Sequence, residues 1–154
     1  QEAGLTHGGF YEHFQSRDAL LLEAIEHAGK VTLSTLVAAI ERSKARGGDA
    51  FGAVVRTYLG DKRLEEVECS CTVAALAAEL HGLDKASRNS VRECIHALVA
   101  LVRSTLPPDS TAGQTELITC TLVGTLQLAR TAGGDAGRTM LRRARRQLLR
   151  QVQY

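Results

Sequence analysis

Residues 3–22 read Ala-Gly-Leu-Thr-His-Gly-Gly-Phe-Tyr-Glu-His-Phe-Gln-Ser-Arg-Asp-Ala-Leu-Leu-Leu. Phe10, Tyr11 and Phe14 are half of the six aromatic residues in the chain. The local physics gives a short helix, a turn and a second helix. Gly4 suits a helix C-cap because it tolerates positive φ. Leu5 follows as a core plug, and Thr6 is a candidate N-cap for the next helix. Phe10 and Phe14 are i, i+4 and can enter one small core. His7 and Tyr11 are also i, i+4 and share a different face. Ser16 then caps a third helical run beginning Arg17-Asp18-Ala19, with Asp18 favourable in its first turn.

Outward from this stretch the chain keeps a helical rhythm. Leu21, Leu22, Ile25, Ala28, Leu33, Leu36, Val37 and Ile40 recur close to a 3.6 period, with a possible bend at Gly29, as far as Gly47-Gly48. Asp49 opens a shorter helix with Phe51, Val54, Val55, Tyr58 and Leu59, stopped at Gly60. Asp61–Glu68 reads as a loop. A small-residue helix is predicted over 70–81, with Val73, Leu76, Ala77 and Leu80 on one face. A helix over 84–106 carries Val91, Ile95, Leu98, Val102 and Leu106, and Pro107-Pro108 ends it. Another, over 111–132, carries Leu117, Ile118, Leu122, Val123, Leu126 and Ala129, and Gly124 inside it suggests close approach of another helix. Asp135 is read as the cap of a last helix with Leu141, Ala144, Leu148 and Val152. No segment shows a sustained period of two, so the chain is expected to be all-α.

Composition narrows the class. The chain has 154 residues, 44% of them apolar, which suits a folded domain and argues against disorder. Aromatics are only 4%, so Ala, Leu and Val must fill the core. No window approaches a membrane span, and no secretory signal is visible. The only Met is Met140, and the sequence reads as a fragment or a processed product. Four cysteines do not make a dense disulfide framework, so reduced thiols in a cytoplasmic protein are expected. The net charge of +2 hides an uneven distribution. Residues 1–30 hold Glu2, Glu12, Asp18, Glu23 and Glu26 against Arg17 and Lys30. Residues 136–154 hold six arginines and no acid.

A helix with His7, Gly8 and Tyr11 outward, whose glycines let a backbone come close, is suited to a DNA major groove. Its first N–H groups and the Thr6 hydroxyl can meet one phosphate, and Arg17 another. The matching residues Gly4-Leu5-Thr6, Gly8, Phe10-Tyr11, His13-Phe14, Ser16-Arg17 and Ala19-Leu20-Leu21 resemble the recognition-helix segment of the TetR family of bacterial transcriptional repressors. The resemblance implies phosphate contacts from Thr6, Tyr11, His13 and Arg17, base edges facing His7 and Gly8, and a helix-turn-helix core held by Phe10 and Phe14. Gln1-Glu2-Ala3 would be only the tail of the family's second helix. The expected layout is a partial DNA-binding module over 1–28 and a helical effector-binding and dimerisation domain over 29–154. The resemblance further implies a homodimer through the last two helices, with Leu122, Leu126, Leu141 and Leu148 as candidate interface residues. Its partner would be a pseudo-palindromic DNA operator, and its switch a small effector.

The effector pocket is expected to be largely apolar, among Phe51, Tyr58, Leu76, Leu80, Leu98 and Val102, with polar selection from Thr72 or His96. No cofactor, catalytic residue or metal ligand is assigned, and no phosphate-binding, nucleotide-binding or hydrolase motif occurs. Two further constellations compete with packing. Glu93 and His96 form one E-x-x-H pair, where a di-metal bundle needs two and further carboxylates. Together with Cys69, Cys71, Cys94 and Cys120 they define an alternative, a metal-binding or redox bundle; C-x-C is a weak metal motif and Cys is commonly buried. Arg138, Arg142, Arg143, Arg145, Arg146 and Arg150 define a basic run that reads as a nucleic-acid or lipid patch or, favoured by their spread round the helix, as a solvated or partner-packed helix.

Overall fold

The computed structural model describes residues 15–65 and 82–152. Among them are six helices and no strand. They are α1 (Arg17–Lys44), α2 (Ala50–Tyr58), α3 (Lys62–Glu65), α4 (Lys85–Ser104), α5 (Ala112–Ala132) and α6 (Gly134–Gln151). The helix predicted over 70–81 lies outside the described residues.

Local chemistry sets most of the helix starts. Ser16 is extended, and its hydroxyl accepts from the Ala19 amide at 3.1 Å. Asp49 caps α2 by accepting from the Gly52 amide. Asp84 accepts from the amides of Ala86 and Ser87, both at 3.0 Å. Thr111 and Gln114 form a reciprocal capping box at the start of α5. The last helix departs from the expected pattern. Its cap is Gly133, at φ 64, followed by Gly134 at φ 45, and no side chain caps it. Two successive positive-φ residues reverse the chain in the space of one turn, so glycine is required there. Asp135 instead sits in the first turn and pairs with Arg138 at 3.0 Å.

Helix α2 is the centre of the core. Phe51, Ala53, Val54, Val55 and Tyr58 are all buried, and α1, α5 and α6 pack around them. Leu36 and Ile40 come from α1, Leu122 and Leu126 from α5, and Leu141 and Leu148 from α6. Each fully buried side chain of this size contributes about 1.5–3 kcal/mol of transfer free energy. Helix α4 packs on α1 and α5, adding Leu98 and Val102. The segment read as a loop over 61–68 contains the single turn α3. It is anchored from two directions. The Arg130 guanidinium donates to the Arg63 carbonyl at 2.8 and 3.1 Å, and Arg145 meets Asp61 at 3.1 Å.

Two glycines, neither of them Gly124, mark the close approaches. Helix α1 runs unbroken through Gly29, where a Cβ would lie 2.5 Å from the Cys94 sulfur of α4. A Cβ at Gly137 would run into the Ala129 carbonyl of α5 and press on Leu64. At Gly124 no atom of another element among the described residues lies within 4 Å of such an atom.

Opposite outcomes are therefore expected for two glycine replacements in urea unfolding. Gly137→Ala overpacks a backbone contact and should cost about 1–3 kcal/mol. Gly124→Ala meets open space and should gain about 0.5–1 kcal/mol from the lower chain entropy of alanine.

Asp84 supplies a pH signature. The Ser87 hydroxyl and amide hold its carboxyl below the ordinary value of 3.8. A depressed folded-state pKa stabilises above the unfolded value and is lost as pH falls through the folded one. Asp84→Ala should be less stable than the parent near neutrality, and the gap should close in acid below 3.8. Urea midpoints followed from neutral to acid pH check this, and a gap independent of pH would contradict it.

Candidate functional site

Helix α4 carries two apolar stripes. Val91, Leu98 and Val102 turn into the core, whereas Ile95 and Val99 lie to one side and stay half-buried. Facing them, α5 presents Ala112, Thr115, Thr119, Val123 and Gly124. Small residues and threonines leave space between the helices that leucines would fill. The result is an open groove of about 960 Å³, lined mainly by carbon. That volume lies within the range of small-molecule sites, roughly 300–1,000 Å³.

The groove is more apolar than its threonines suggest. The Thr115 hydroxyl donates to the Thr111 carbonyl at 3.2 Å, and the Thr119 hydroxyl to the Thr115 carbonyl at 2.8 Å. Both hydroxyls are therefore satisfied by their own helix. The polar groups stand at the rim. His96 and Glu116 are exposed. The Arg103 guanidinium is directed to the loop carbonyls of Pro107 and Pro108, at 2.9 and 2.8 Å. Cys120 is an exposed free thiol at the edge.

The structure divides the expected pocket residues. Phe51, Tyr58 and Val102 are core residues, at 0–1% exposure. Leu98 and His96 belong to the α4–α5 groove. Thr72, Leu76 and Leu80 lie outside the described residues, as do Thr6, His7, Gly8, Tyr11 and His13. Arg17 is exposed as the first residue of α1. Leu122, Leu126, Leu141 and Leu148 are at most 2% exposed in a single copy, because they complete the core around α2. The apolar residues that α5 leaves to solvent are Leu117 and Leu128, 66% and 60% exposed on one stripe.

Sequence reasoning missed Val99, Thr115, Thr119 and Val123 as groove residues. The available signal was the second stripe of α4, Ile95 and Val99, set beside the run of small residues on α5. The alternative built on Glu93, His96 and the cysteines does not assemble among the described residues, where no group of three or more potential ligands converges. Cys94 is half-buried against Gly29, while Glu93 and His96 are exposed. Cys69 and Cys71 lie outside the described residues. Comparison with protein-family models finds no match, and neither does comparison with curated proteins.

The groove predicts how the thiols react. With a brief pulse of an alkylating reagent and peptide mapping, Cys120 should label at least an order of magnitude faster than Cys94. Adding 8-anilinonaphthalene-1-sulfonate should raise its fluorescence and slow Cys120 labelling together. Fluorescence without protection of Cys120 would place the apolar probe elsewhere.

Proposed function

We propose that this chain is a ligand-responsive DNA-binding transcriptional repressor of the TetR type. The recognition segment would be Thr6–Arg17, resting on the sequence pattern. The single observation that carries the switch is the crossing of α1 and α4 at Gly29 and Cys94. Helix α1 is a continuous rod of 28 residues that starts one residue after Ser16. Helix α4 touches this rod with Cys94 and lines the groove with the adjacent Ile95. An apolar effector wedged beside Ile95 and Val99 would move α4, and the tight Gly29 contact would pass that movement to α1. The rods would then present the two recognition helices at a changed spacing.

Operator binding requires two such helices about 34–36 Å apart on successive major grooves. A homodimer through α5 and α6 supplies the pair, and the exposed Leu117–Leu128 stripe supports a partner on α5. An effector that binds better to the form with the wrong spacing lowers DNA affinity by linkage. Such a regulator works in the cytoplasm with its operator. No helix among the described residues is long and apolar enough to cross a membrane.

Selection from a randomised duplex library, using the protein expressed from its whole gene, tests this reading. A pseudo-palindromic sequence should emerge, bound with an affinity that falls steeply with salt. Tyr11→Ala should weaken binding at least about tenfold, the loss of one charge-assisted phosphate contact. Val99→Trp, which fills the groove, should weaken binding without touching the recognition segment. Absence of any enriched sequence would sink the proposal.

A further inference from the structure

The arginine run of α6 does not spread evenly into solvent. Arg142, Arg143, Arg145 and Arg146 line an open hollow of about 700 Å³ together with Arg56 of α2. Thr139 and the half-buried Leu149 form the remaining wall. Five arginines from two helices thus line one concavity.

The acids nearby do not balance them. Asp49 pairs with Arg56 at 3.4 Å and Asp61 with Arg145 at 3.1 Å, and neither carboxylate lines the hollow. Arg142 donates to the Thr139 hydroxyl at 3.0 Å, a neutral acceptor. Arg143 and Arg146 make no ion pair among the described residues. Like charges held around one concavity repel, and an anion entering it relieves that repulsion. Guanidinium forks match phosphate oxygens in bidentate geometry.

We infer that this hollow binds a small soluble anion carrying two or more phosphate groups. Three arginines without carboxylate partners among the described residues suit a compact, multiply charged ligand better than a single phosphate. The concavity is of ligand size. A nucleic-acid backbone would need the positive surface to continue, and on the α2–α3 side it meets the half-exposed carboxylates of Asp49 and Asp61 instead. The site is separate from the α4–α5 groove and does not rest on the repressor reading.

Titration calorimetry of the intact protein with inorganic tripolyphosphate tests the inference. One tripolyphosphate per chain should bind saturably, tighter than orthophosphate, and more weakly as salt rises. The double variant Arg143→Gln/Arg146→Gln should lose at least about tenfold in affinity while its circular dichroism and melting temperature stay near the parent's. Arg88→Gln, on α4, should bind as the parent does. Should the double variant unfold, Arg146→Gln alone must still lower the affinity. Absence of saturable binding would overturn the inference, as would affinity unchanged in the folded variants. Tighter binding of a random-sequence duplex, or of vesicles bearing phosphorylated inositol lipids, through the same arginines would also overturn it in favour of a macromolecular partner.

Discussion

Helix α2 has almost no face left for water. Of its nine residues, six are buried, and only Arg56 is exposed. A short helix of Phe51, Ala53, Val54, Val55 and Tyr58 cannot stand alone, because isolated helices of this length are not stable in water. Its burial therefore dictates where α1, α5 and α6 must lie. It also fixes the turn that follows. The Arg63 guanidinium sits 5.9 Å from the centroid of the Tyr58 ring, and the Arg63 carbonyl is held by Arg130. Enclosing α2 takes up Leu122 and Leu126 of α5 and Leu141 and Leu148 of α6.

Helix α5 divides the work of the domain by face. Ile118, Leu122, Leu126 and Ala129 look into the core around α2. Thr119, Cys120 and Val123 border the groove shared with α4. Leu117 and Leu128 remain exposed. Core, groove and outward stripe lie side by side on one rod. Helix α6 divides similarly, with Leu141 and Leu148 inward and the arginine hollow outward. Gly137 lets it approach α5 closely enough for both to hold.

Much of the framework was legible because its causes are local. Asp49 and the Pro107-Pro108 stop act within a few residues of where they sit. The periodic spacing of Val91, Leu98, Val102 and Leu106 likewise marks one buried face without reference to a partner. Interior glycines were not legible in this way. A glycine in a helix looks the same in sequence whether it faces open space, as Gly124 does, or a neighbouring sulfur, as Gly29 does. The cap of α6 was misassigned to Asp135 because Gly133 and Gly134 perform the reversal with backbone angles alone, which leave no side-chain signature.

The amino-acid order by itself determined the helical class and the principal breaks, since these rest on spacing and short-range hydrogen bonding. Tertiary structure alone decided which apolar residues are core and which line a groove. That choice depends on how much volume a facing helix fills. Thr115, Thr119 and Val123 leave room opposite Ile95 and Val99, whereas Phe51, Tyr58 and Val102 are buried in the core around α2. The same reason gathers Arg56 with arginines of α6 that lie more than eighty residues away, a meeting no periodicity in the chain could show.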